Sequence, residues 1–200
     1  ALKAYATIDD KVGEINCRYF LARIHSSLGD FVTSYQYFAE VLKFDQQSNN
    51  QTNLGQSYFR LAEVAFKQQN YQQAKRDIDK AISILDNVDD GFLKGQLYSL
   101  AGSIYYNNQQ TEKAFDFIQK ADSIQTKIED HRGQIETGYR LAEIYAASVA
   151  GHSKALSLLD SVMKKIDRPE GLIRYSSFTN IKDPEKKNFT GRIKAYLGVL

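Results

Sequence analysis

The hydrophobic pattern of this chain returns in phase every forty positions. A pair of small-to-medium apolar residues recurs at Leu21-Ala22, Leu61-Ala62, Ala101-Gly102 and Leu141-Ala142. Downstream in each period stands a small residue: Ser34, Ala74, Ala114 and Ala155. Four positions later comes a large apolar one (Phe38, Ile78, Ile118, Leu159), and three further on sit Val41, Ala81, Ala121 and Val162. Polar acceptors keep the same interval at Asp10, Asn50, Asp90 and Asp130. Self-similarity at one fixed period is the signature of a repeat array.

Each period predicts two helices. Asp or Asn at the periodic acceptor position is a good N-cap, its side-chain oxygen taking an orphan backbone N–H. Helix A then runs from Lys11 to Leu28 in the first period, roughly 27 Å of helix. Gly29-Asp30 interrupts it, as Gln69-Asn70 does in the second period. Helix B follows with i, i+3, i+4, i+7 apolar spacing, as in Ala74, Ile78, Ala81, Ile82 and Leu85. Small residues at Ala22, Ala62, Gly102 and Ala142 let helix A approach helix B closely, where a larger side chain would hold the two apart.

This small–large–small grammar resembles the tetratricopeptide repeat. Tyr98, Ala101, Gly102 and Tyr105 followed by Ala114, Ile118 and Ala121 carry it most clearly, and Leu141, Ala142, Tyr145, Ala155 and Leu159 match next best. The resemblance covers about residues 11–166. It departs from the family in its forty-residue period, in lacking a proline after helix B of the first three units, and in an insertion near the turn of the fourth. Long-period repeats of this kind resemble those of bacterial signalling regulators and of kinesin-light-chain and Pins-type adaptors. The resemblance implies an all-α, right-handed superhelical solenoid of antiparallel helix pairs.

The period partitions the chain. Residues 1–10 read as the second helix of an upstream repeat, because Ala1 falls forty positions before Val41, and the chain is expected to be a fragment of a longer protein. Repeats follow at 11–50, 51–90, 91–130 and 131–167. From 168 to 200 the period fails, since Pro184 blocks the next helix A. That last segment reads as irregular and basic, with short capping helices expected at 171–181 and 190–197.

Composition narrows the function. Twenty-six basic against 24 acidic side chains leave a formal charge of +2 in 200 residues, which excludes nucleic-acid binding by bulk charge. The longest uncharged run, Gly95 to Thr111, contains Asn107, Asn108, Gln109 and Gln110, so no membrane span is expected. The single cysteine, Cys17, excludes an internal disulfide and a cysteine-based zinc site, and its place near Leu21 predicts a buried thiol. A cytoplasmic location fits this usage.

Nothing in the chain has the spacing of catalytic or metal chemistry. His25, His131 and His152 lack His, Cys or carboxylate partners in a ligand set, so neither metal nor cofactor is expected. The acidic pairs Asp9-Asp10, Asp89-Asp90 and Glu129-Asp130 follow the period and read as helix caps rather than acid–base pairs. Phosphate-loop, dinucleotide and nucleophile-elbow motifs are absent. No enzyme is expected.

What remains is the inner face of helix A, which in repeat solenoids decides what binds. The resemblance assigns to it Asn16, Tyr19, Arg23 and Ser26 in the first repeat, and Gln56, Phe59, Glu63 and Phe66 in the second. The third supplies Gln96, Ser99, Ser103 and Tyr106, and the fourth Glu136, Tyr139, Glu143 and Ala146. Tyr19, Phe59 and Tyr139 are read as exposed rings lining a groove; the competing reading packs them against the next unit. Arg23 with Glu63 and Glu143 would make the groove bipolar. The expected function is that of a noncatalytic scaffold of signalling type, holding a peptide or protein segment in this groove. The alternative is an assembly element that forms a homodimer without a groove ligand.

Overall fold

The computed structural model describes residues 5, 7–48, 50–147 and 151–166. Among them run eight long helices and no strand: α1 (Lys11–Ser27), α2 (Phe31–Asp45), α3 (Gln51–Lys67), α4 (Tyr71–Leu85), α5 (Gly91–Asn107), α6 (Thr111–Lys127), α7 (His131–Ala146) and α8 (His152–Ile166). Odd-numbered helices are the helix A copies and even-numbered ones the helix B copies. Tyr5 and Thr7, also helical, are what is described of the helix expected before α1. The segment 168–200, with its expected short helices, lies outside the described residues.

The boundaries follow from capping chemistry. Asp10, Asn50 and Asp130 accept from the backbone N–H of Gly13, Asn53 and Gly133 at 2.9, 3.0 and 3.0 Å. The breaks inside each period work in two steps. A residue in the left-handed region ends the first helix: Gly29 at φ 81°, Gln69 and Gln109 at φ 60°. The next N–H then reaches back to the carbonyl five residues earlier, Asp30 to His25 and Asn70 to Ala65 at 2.9 Å each. Asp30 and Asn70 also cap the helix they introduce, through Thr33 and Gln73.

The helices gather into two compact units, Ala1–Asp90 and Gly91–Leu200. In the first, α1 packs on α2, α2 on α3 and α3 on α4; in the second, α5 packs on α6, α6 on α7 and α7 on α8, with α5 also touching α7. The small residues at the helix crossings are buried, as the period predicts: Ala22, Ala62, Gly102 and Ala142. At Gly102 the crossing leaves no room for a side chain, because a methyl group built there would run into Ile118. In the first unit Ala22, Phe38, Leu61 and Val64 form one buried cluster. In the second, Ile135, Tyr139, Ala142, Ala155, Leu159 and Val162 form another.

The units differ in the polar groups they bury. The first encloses Asp45, which accepts from the Ser57 hydroxyl at 2.5 Å, and Asp77, which accepts from the Gln73 amide at 2.9 Å. Burial pushes both carboxyls above their usual range, and the hydrogen bonds only partly oppose it. Forty and eighty residues on, the second unit carries Phe117 and Gln125 in these places. Cys17, expected inside the core, is only half-buried.

Candidate functional site

On the helix A face of the first unit, side chains of α1 and α3 interlock. Arg60 donates through Nε to the Tyr19 hydroxyl at 3.2 Å and through a terminal nitrogen to Glu63 at 2.9 Å. The second Glu63 oxygen pairs with Lys67 at 3.1 Å, and Lys67 reaches back to the Ser26 hydroxyl at 3.3 Å. One ladder thus runs Tyr19–Arg60–Glu63–Lys67–Ser26. Burial alone would raise the Glu63 carboxyl, but Lys67 and Arg60 outweigh it and hold the group below the usual range. Arg23 lies one turn along α1 from Tyr19, with its guanidinium 6.0 Å from the centre of the Tyr19 ring. It is exposed and meets no carboxylate among the described residues.

This arrangement corrects the expected bipolar groove. Glu63 does not stand opposite Arg23 as a free negative pole, because Arg60 and Lys67 already take both of its oxygens. Three cations against one carboxylate leave the face positive.

The aromatic positions are corrected as well. Phe59 is 4% exposed and Tyr139 is 6% exposed, so neither lines an open groove. Tyr139 belongs to the α7–α8 core cluster. Tyr19 is half-buried, edge-on to Phe38 with ring centres 5.6 Å apart. A ring at this point of helix A covers more apolar area by turning onto neighbouring helices than by standing in water, so packing wins. Phe66 is half-buried beside Tyr71, ring centres 5.7 Å apart. Asn16 is exposed and Gln56 half-buried.

In the second unit the corresponding face is built from small hydroxyls. Ser99 and Ser103, expected to meet a ligand, are buried. Ser99 accepts from the Thr137 hydroxyl at 3.3 Å, and Ser103 accepts from the Arg140 guanidinium. Another Arg140 nitrogen pairs with Glu136 at 2.8 Å. Gln96, Tyr106, Glu143 and Ala146 are half-buried, and Glu136 is exposed.

Sequence reasoning passed over Arg60, Lys67 and Arg140. The signal was present: Arg60 and Arg140 lie eighty residues apart, at one repeat position, each with a glutamate one helical turn away. Among the described residues no group of three or more His, Cys, Asp or Glu side chains could hold a metal ion, and no helix is long and apolar enough to cross a membrane.

Residues 55–84 and 95–127 match the model of the tetratricopeptide repeat. Those two segments read as tetratricopeptide repeats. No curated protein sequence is significantly similar to it. Among solved structures, apo RapI superposes with a TM-score of 0.76 at 14% identity, over 98% of this chain and 73% of that one. A candidate kinesin light chain of Podosopora anserina with nearly identical TPR-like repeats gives 0.66 at 16%, over 91% and 93%. BtubC (BKLC) from P. vanneervenii gives 0.67 at 15%, over 86% and 67%. At these identities the likeness is one of fold, an all-α TPR-like solenoid. Tetratricopeptide repeats are in general scaffolds for protein partners, and the two matched segments support a protein-interaction repeat domain.

Proposed function

We propose that the helix A face of the first unit recognises an acidic stretch of a protein partner. The observation that carries this reading is Arg23: an exposed guanidinium without a carboxylate partner, beside a ladder whose only anion is already neutralised twice. An arriving carboxylate can pair with Arg23 without breaking any existing contact, and the planar guanidinium suits two-point pairing. Arg60 and Lys67 keep their Glu63 contacts and add long-range attraction. Tyr19 supplies a half-buried ring at the edge of the site and Asn16 and Gln56 supply amides for the peptide backbone, as recognition faces combine area with a few polar anchors.

The test is fluorescence anisotropy with a labelled glutamate-rich dodecapeptide against a lysine-rich one of equal length. The acidic peptide is expected to bind more tightly, and its affinity to fall as salt rises. Arg23→Glu is expected to weaken it about tenfold, on the order of 1.4 kcal/mol, with an unchanged thermal midpoint because the side chain makes no core contact. Equal binding of both peptides, or an Arg23→Glu protein that binds as well as the parent, would sink the proposal.

A further inference from the structure

The outward face of α1 leaves several large apolar side chains open in the first unit. Val12, Phe20, Ile24 and Leu28 follow one another at four- or eight-residue spacing along it, all more than half exposed. Phe20, Ile24 and Leu28 also wall, with Arg23 and Ser27, a surface depression of about 350 Å³. An apolar run such as Phe20, Ile24 and Leu28 on one helix marks an interaction surface rather than scattered exposure.

The repeat itself tells what covers such a face. Ile24 is 54% exposed, but its equivalent forty residues on, Val64, is 1% exposed and belongs to the cluster with Ala22 and Phe38 of the preceding helix pair. In the second unit Ile144, at the same repeat position of α7, is 8% exposed. Position 17 of the period behaves alike: Ser57 and Thr137 are buried where Cys17 is half-open. Thus at positions 17 and 24 of the period α3 and α7 bury, against a preceding helix pair, side chains that α1 leaves open. The element just before α1 also closes like a helix B. Asp9 stands at φ 54° and the Asp10 N–H reaches the Tyr5 carbonyl at 3.0 Å; Glu129 stands at φ 56° and the Asp130 N–H reaches the Gln125 carbonyl at 2.8 Å at the end of α6. The interface between α2 and α3 therefore has its counterpart one period earlier.

We infer that the α1 stripe is the receiving half of a repeat-to-repeat interface, and that its occupant is a helix pair of the same kind whose second helix closes at Tyr5–Thr7. This inference does not depend on the acidic-partner reading, since it rests on the exposed apolar side chains of α1 and not on the charge of Arg23.

Two proteins test it. One is the 200-residue chain. The other is an extended chain in which a copy of residues 11–50 stands directly before Lys11, in register with the period. Ile24→Glu is expected to leave the thermal midpoint of the first within about 1 °C, as an exposed substitution does, and to lower that of the extended chain by on the order of 5 °C or more. Val64→Glu, at the same position of α3, sets the size of a fully buried response in both. Should the extended chain not fold, a second fusion carrying residues 51–90 before Lys11 gives the same comparison. An Ile24→Glu effect equally small in both proteins would overturn the inference. So would sedimentation showing that the 200-residue chain is a dimer which Ile24→Glu dissociates, because the occupant would then be a second copy.

Discussion

The two units place an arginine at the same repeat position and use it to opposite ends. In the first, Arg60 draws Glu63 and the Tyr19 hydroxyl onto itself, and Arg23 is left uncommitted on a positive face. In the second, Arg140 spends itself on Ser103 and Glu136, and Glu143 lies half-buried on the same helix. What differs is the neighbour. Arg60 meets the hydroxyl of the large Tyr19 at 3.2 Å, whereas Arg140, opposite small serines at 99 and 103, reaches the Ser103 hydroxyl. One repeat can therefore set the charge of its helix A face through side chains that pair among themselves.

The sharpest way to break this comparison is to remove the rings buried beneath it. Phe59→Ala and Tyr139→Ala delete side chains that are almost fully enclosed, so each is expected to cost about 3–5 kcal/mol of unfolding free energy. Tyr19→Ala, which empties a half-buried site, should cost less. Urea unfolding monitored by circular dichroism measures all three. A loss below about 1 kcal/mol at Phe59 would return that ring to the surface, and with it the aromatic groove.

That contrast also marks how far the sequence could be read. The forty-residue interval, the caps at Asp10, Asn50 and Asp130 and the buried alanines were legible, because each depends on local chemistry that repeats in phase. Phe59 and Tyr139 were not. An aromatic in phase on helix A is compatible with a groove wall and with packing between helices, and only the distance to neighbouring helices separates the two. Arg23 was legible as a cation, but its freedom was not: that depends on Arg60 and Lys67 claiming Glu63, a relation among three residues of α3 that the spacing of the inner positions does not display. Cys17 failed for a third reason, since its burial in the equivalent Ser57 and Thr137 needs a helix pair on the other side of the helix.

A smaller effect separates the helix crossings. Ala62 and Gly102 hold one repeat position in the two units, yet a methyl group at Gly102 would meet Ile118 and the Ala114 carbonyl. Gly102→Ala is therefore expected to destabilise by about 1–3 kcal/mol through overpacking, against a gain of roughly 1 kcal/mol in helix propensity. If the substitution stabilises the protein instead, α5 and α6 can separate at little cost and the second unit is no tighter than the first.

The smallest effect concerns charge inside the first unit. Burial raises the Asp45 carboxyl above its ordinary value of 3.8, with the Ser57 hydroxyl pulling weakly the other way. The folded protein therefore holds this proton more tightly than the unfolded chain does. The stabilisation that protonation brings is complete below the unfolded value and disappears as pH rises through the folded one. Asp77 has the same sign, whereas Glu63, held low by Lys67 and Arg60 against its burial, contributes stability above its unfolded value and loses it as pH falls. Absolute stability curves mix these opposing slopes, so the informative quantity is the difference between the parent and Asp45→Asn. The asparagine oxygen can still accept from Ser57 and carries no charge to bury. Its gain is expected to be on the order of 0.5 kcal/mol near pH 7 and to shrink as pH falls toward 4, as the parent carboxyl takes up its proton. The second unit has Gln125 at this repeat position and serves as the internal control, because Gln125→Asn removes a methylene but no ionisable group and its effect should not vary with pH. Thermal midpoints of the three proteins between those two pH values decide the matter: a constant difference between parent and Asp45→Asn would mean that Asp45 ionises in the folded protein as freely as in the unfolded one.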